Sequence, residues 1–212
     1  EAILIELLEI EPNNINTNFF LGSILLQKNE FDRARKLFLK AISLNPNNPD
    51  FYNNLGIAMK ELGQKLKAVT CFQKTIELKA DHNMAHNNLG IVYKELGKYE
   101  EALNSYKKAI EIDPNNADAY NNLGTLFTEY GDHEKSKKYL KKAIEIKPKF
   151  LKPYSNLLFS LCWSDNITNY LAFAKEYYDI IPNYKEKFVE KKKLTKEILK
   201  IGFVSGDFKN HP

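Results

Sequence analysis

Hydrophobic and small residues along this chain keep a fixed order that returns every 34 residues. Leu21, Leu55, Leu89 and Leu123 each precede a glycine: Gly22, Gly56, Gly90 and Gly124. With that glycine as position 8, the repeats run 15–48, 49–82, 83–116 and 117–150. Position 11 is then Leu25, Met59, Tyr93 and Phe127, and position 24 is Phe38, Phe72, Tyr106 and Leu140. Small residues hold position 20 (Ala34, Ala68, Ala102, Ser136) and position 27 (Ala41, Thr75, Ala109, Ala143). Spacings of three and four place positions 4, 8 and 11 on one face of a helix, and positions 20, 24 and 27 on one face of a second. Small side chains let the two backbones approach and large ones fill the space beside them, so each repeat predicts a helix pair.

The breaks between helices carry their own signals. Position 15 is Asn29, Gly63, Gly97 or Gly131, residues that accept the left-handed backbone closing a helix. Pro46, Pro114 and Pro148 at position 32 stop the second helix, with Ala80 the exception, and a following Asn-Asn often prepares the next N-cap. A pair of this kind cannot bury its apolar faces alone, and neighbours stacked on it supply the core. The expected fold is therefore all-α, a right-handed superhelical solenoid.

This pattern resembles the tetratricopeptide repeat, and the resemblance covers 15–150 in four consecutive registers. A fifth, imperfect copy of positions 4 to 8 stands at Tyr154-Ser155-Asn156-Leu157-Leu158, where Leu158 replaces the glycine. Residues 151–181 are expected to form a divergent capping helix pair, with Trp163 and the cluster Tyr170, Phe173, Tyr177 and Tyr178 packed beneath it. Running the register backward puts Pro12 at position 32 and Leu7 at position 27, so 1–14 reads as the second helix of a truncated repeat. Its exposed face would need a neighbour, and self-association through the repeats is a further expectation. The clamp that some such proteins use for terminal carboxylates wants Lys and Asn at positions 5 and 9 of one repeat. Position 9 here is Ile57, Ile91 and Thr125, so that clamp is absent.

Composition narrows the classes. No apolar run approaches the roughly 20 residues of a membrane span, and the first ten residues carry acids and no basic stretch, unlike a signal peptide. Cys71 and Cys162 have neither metal-ligand spacing nor a disulfide framework, which points to buried thiols in a reducing compartment, cytoplasmic or also nuclear. The net charge of +4 is matched by Pro182 to Lys200, where seven lysines face three glutamates. The remainder balances to zero, and no basic stripe for nucleic acid is expected. His82 and His86 lie four apart without a third ligand and read as surface or seam histidines, and His133 as a solvated turn residue. No metal site is expected.

The asparagines stand apart from the packing pattern. At 100° per residue, positions 2, 6, 9 and 13 form a stripe opposite the core seam. Asn54, Asn88, Asn122 and Asn156 hold position 6 on that stripe, which is expected to line the concave surface. An amide presents a donor and an acceptor together, as a peptide unit does, so a row of them can grip an extended, unstructured protein segment with little regard for its side chains. The alternative is that such asparagines cap or bridge repeats. Bridging is the reading for position 5 (Asn53, Asn87, Asn121), and peptide binding for position 6, because Asn156 keeps the residue where the glycine has gone.

After a Lys-rich linker at 182–198 the period changes. Residues 199–212 read as one strand and the turn that leaves it, a C-terminal stub of a truncated α/β domain. The run from Lys200 through Ile201-Gly202-Phe203-Val204-Ser205-Gly206-Asp207 to His211-Pro212 resembles the opening of the catalytic region in protein O-linked N-acetylglucosamine transferases, and the related protein O-fucosyltransferases are similar there. The resemblance implies a parent enzyme that moves N-acetylglucosamine from UDP-GlcNAc to Ser or Thr of proteins led along the repeat groove. It places His211 at an incomplete active site, as a proton acceptor or hydrogen-bonding group. The nucleotide-binding lobe of that family lies outside these residues, so the chain by itself is expected to hold no cofactor and catalyse no transfer. The competing expectation is a non-enzymatic adaptor or scaffold for protein–protein interaction.

Overall fold

The computed structural model describes residues 2–162 and 173–174. They form ten α-helices and no strand: α1 (Ala2–Ile10), α2 (Ile15–Gln27), α3 (Phe31–Leu44), α4 (Pro49–Glu61), α5 (Lys65–Leu78), α6 (Asn83–Glu95), α7 (Tyr99–Ile112), α8 (Ala117–Glu129), α9 (His133–Ile146) and α10 (Leu151–Cys162). The solenoid expected from the 34-residue period is the observed fold. The strand expected at 199–212, together with the linker at 182–198 and most of 151–181 beyond Cys162, lies outside the described residues.

Each pair closes on the glycine of its first helix. A methyl group built on Gly56 would sit 2.7 Å from Phe72 Cε1, and one on Gly90 2.6 Å from Tyr106 Cε1. Phe38, Phe72, Tyr106 and Leu140, the position-24 residues, are all fully buried, as are Ala41, Ala109 and Ala143 at position 27. Burial on this scale pushes the Tyr106 hydroxyl well above the usual phenol range, with Glu129 and Glu95 adding to the effect. The tight turn inside each pair has the left-handed residue at position 15: φ is 62° at Asn29, 73° at Gly63 and Gly97, and 76° at Gly131.

The joints between pairs are held by side chains. Asn14, Asn48 and Asn116 cap α2, α4 and α8, and the equivalent place before α6 is taken by His82, whose Nδ1 accepts from the Ala85 amide. Position 4 closes the joints before α2, α6 and α10 by another route. Asn18 Nδ2 donates to the Pro12 carbonyl at 3.1 Å, His86 Nε2 to the Ala80 carbonyl at 3.0 Å, and Tyr154 Oη to the Pro148 carbonyl at 3.1 Å. Three chemically different residues thus make one connection, from the first helix of a repeat back to the end of the one before.

Which side is concave follows from the contacts. The first helices approach in succession, α2 with α4, α4 with α6, α6 with α8 and α8 with α10, whereas the backbones of α3, α5, α7 and α9 stay farther apart from one another. Helices that approach lie on the inside of a bend, so the first-helix side is the inner face. The ends differ from the middle: α1 has no buried residue, with Ile3 at 72% and Ile10 at 77% exposure, and rests half-buried Leu4 and Leu8 on the core. At the other end Tyr154 stacks on Phe173, with ring centroids 5.8 Å apart.

Candidate functional site

The inner face carries a row of side-chain amides, and its geometry follows from the two asparagines adjacent in sequence. Position 5 turns toward the neighbouring first helix and is buried at Asn53 (4%) and Asn121 (2%), while Asn87 and all four position-6 asparagines are half-buried. Asn88 Nδ2 donates to Asn53 Oδ1 at 3.2 Å, Asn122 to Asn87 at 3.0 Å and Asn156 to Asn121 at 2.8 Å. Within a repeat, Asn53 Nδ2 donates to Asn54 Oδ1 at 3.3 Å, and Asn121 to Asn122 at 3.4 Å. The amides therefore form a zigzag along the array.

Repeat 1 breaks the row because Phe19 and Phe20 stand where the asparagines would be, and Asn54 turns instead to Ser23 Oγ at 3.3 Å. Ser23 and Thr125 both sit at position 9, and Thr125 Oγ1 is a second acceptor for Asn156 at 3.1 Å. Ile57 and Ile91 hold that position in the middle repeats and offer no acceptor.

The sequence placed Asn54, Asn88, Asn122 and Asn156 on the inner stripe and treated bridging as the property of position 5. In the structure both positions take part in the bridge. An amide has two N–H groups and two acceptor sites on its oxygen. Asn156 uses its amino group on two oxygens, whereas Asn88 and Asn122 each donate in one bond to the preceding repeat. Each of these two thus uses one of its two N–H groups in the bridge, and Asn122 Oδ1 also accepts from Asn121. His211 lies outside the described residues.

Other residues singled out by sequence take structural places. His82 is buried (6%) and its Nε2 donates to Asp50 Oδ1 at 3.2 Å, so both ring nitrogens are engaged. His133 opens α9, half-buried rather than solvated, with Nδ1 at 3.4 Å from Ser160 Oγ. No cluster of three metal-ligating side chains occurs among the described residues. Cys71 is half-buried, and burial pushes its thiol up to about 11. Cys162 is exposed, which departs from the expectation of two buried thiols.

Known proteins agree with this architecture. The family described as TPR repeat matches residues 22–63 and 92–131, and the family described as tetratricopeptide repeat matches 49–82 and 117–150. A crystal structure of MamA is 29% identical with a TM-score of 0.62, covering 69% of this chain and 85% of that one. MamA from Desulfovibrio magneticus RS-1 is 23% identical at a TM-score of 0.68, covering 78% and 94%. YrrB, described as a TPR protein with an unusual peptide-binding site, is 19% identical at a TM-score of 0.62, covering 90% and 98%. No curated protein matches. No helix among the described residues is long and apolar enough to cross a membrane.

Proposed function

Since the chain belongs to the tetratricopeptide-repeat proteins, we propose that it is a protein-interaction module that holds an extended, unstructured protein segment along its inner face. The row of position-6 amides supports this reading, because Asn88 and Asn122 lie half-buried on the inner face and each spends one of its two N–H groups on the bridge, leaving the other for a ligand carbonyl. Successive first helices stand about 10 Å apart, and an extended chain rises about 3.3 Å per residue. One amide then meets about every third residue of the ligand and reads its backbone rather than its side chains.

The test compares two sets of substitutions by fluorescence anisotropy with a labelled unstructured peptide. Replacing Asn54, Asn88 and Asn122 together by Ala is expected to weaken binding about tenfold, the equivalent of one to two hydrogen bonds. Replacing Asn53 and Asn121 by Ala is expected to lower the melting temperature with a smaller loss of affinity. Equal affinity in the first variant and wild type, with both folded, would refute the groove reading.

A second reading rests on Lys200 to Pro212, whose sequence resembles the start of a protein O-glycosyltransferase catalytic region. In it the repeats recruit acceptor proteins, UDP-GlcNAc is the sugar donor, and His211 belongs to the active site. Two observations decide it: the natural protein must contain a lobe with a nucleotide-sugar site, and its incubation with UDP-GlcNAc must label Ser or Thr of an acceptor peptide. Without both, the interaction module alone stands.

A further inference from the structure

We propose that the outer face of α9 and the turn that follows it bind a second kind of partner, an extended protein segment rich in Asp and Glu. The charge balance of zero outside the C-terminal linker conceals a strong local excess. Residues 133–152 hold eight lysines and two glutamates, whereas 99–118, the same window one repeat earlier, holds two lysines and five acids.

Packing of α9 sorts these charges to the outside. Ser136, Leu140 and Ala143 point inward and are fully buried. Lys135, Lys138, Lys141 and Lys142 occupy the opposite side and are exposed, and Lys147, Lys149 and Lys152 continue the track over the turn. Lys135 is paired with Asp132 at 2.6 Å, Lys142 with Glu145 at 3.0 Å, and Lys147 lies over the Phe150 ring. Lys138, Lys141, Lys149 and Lys152 make no ion pair with the described residues. The backbone of α9 stays apart from that of α7, the preceding outer helix.

The side chains present select the partner. There is no arginine in 133–152, so the planar fork that clamps phosphate is missing. No exposed ring lies among the lysines on which a base could stack: Tyr139 is half-buried and stacked on Phe127 at 5.4 Å, and Phe150 is half-buried beneath Lys147. Leu151 is the large apolar side chain exposed within this stretch, too little for insertion among lipids. What remains is a line of compact positive charges. Lys138 and Lys142 are about one helical turn apart, roughly 6 Å, and alternate residues of an extended strand repeat at about 6.6 Å. Carboxylates on one side of a strand can therefore meet successive lysines.

The experiment uses the full chain and a fluorescein-labelled peptide of alternating Glu and Ser, read by anisotropy at low salt. Charge reversal at Lys138→Glu and Lys141→Glu is expected to weaken binding about tenfold or more, two exposed ion pairs becoming repulsions. Lys138→Gln with Lys141→Gln is expected to lose less, and added salt to weaken the wild-type complex. A neutral peptide of alternating Gln and Ser is expected to bind equally to the wild type and both lysine variants, which separates this face from the groove. Should the Glu variant fail to give the wild-type helical circular dichroism, the Gln variant decides. Wild-type affinity in a folded charge variant would overturn the proposal. So would tighter binding, at the same salt, to an oligothymidylate or to phosphatidylserine vesicles than to the acidic peptide.

Discussion

The imidazole of His82 fills the place that Asn48 and Asn116 fill in the neighbouring repeats, accepting the Ala85 amide and reaching Asp50 with its other nitrogen. Replacing it by Ala is expected to cost about 1 kcal/mol in urea unfolding, and His82→Asn to restore most of that. Gly124 is constrained differently, by space: an added methyl would meet Leu140 Cγ at 2.6 Å and the Leu140 backbone nitrogen at 3.2 Å. Neither atom is the flexible end of a side chain, so Gly124→Ala is expected to destabilise by about 1–3 kcal/mol. The two thiols separate as well. Cys71, held protonated by burial with its pKa near 11, should react with a maleimide far more slowly at neutral pH than exposed Cys162, a difference that peptide mass spectrometry resolves. The glycine and turn positions were readable from sequence because sterics leave few alternatives there. His82 was not, since its spacing to His86 drew attention to metal geometry; the informative signal was its register, position 34, where asparagine stands elsewhere.

Helix boundaries and pairing followed from the period, because each amphipathic face has one place to be buried. Partners of the asparagines did not, since two adjacent amides per repeat are compatible with caps, bridges or a ligand row. The structure shows that the bridge runs from position 6 back to position 5 of the previous first helix, 35 residues away instead of 34. That offset is a property of the stacking between first helices and has no trace in a sequence read one repeat at a time. A double-mutant cycle on Asn53 and Asn88 is expected to show a coupling of about 0.5–1.5 kcal/mol in unfolding free energy. Asn54 and Asn87, which share no direct bond, should give a coupling near zero. The same limitation hid the basic track on α9, where a charge sum over the whole chain cancelled what one helix face concentrates.

Among the described helices each packs on its sequence neighbours, and the longer approaches join successive first helices, so stability should accumulate along the array from local interfaces. Amide hydrogen exchange is expected to be slowest in α4 to α8 and fastest in α1, which buries no residue. The family and the solenoid were legible from sequence over 15–150, while the C-terminal resemblance and His211 rest on residues beyond the described part. The amide zigzag also bears on mechanics. Straightening the array would pull the first helices apart and stretch those hydrogen bonds one after another. The molecule should then behave as a spring whose resistance to opening is set in part by the amide row. In single-molecule extension this predicts an initial stiff regime that softens when Asn53 and Asn121 are replaced by Ala.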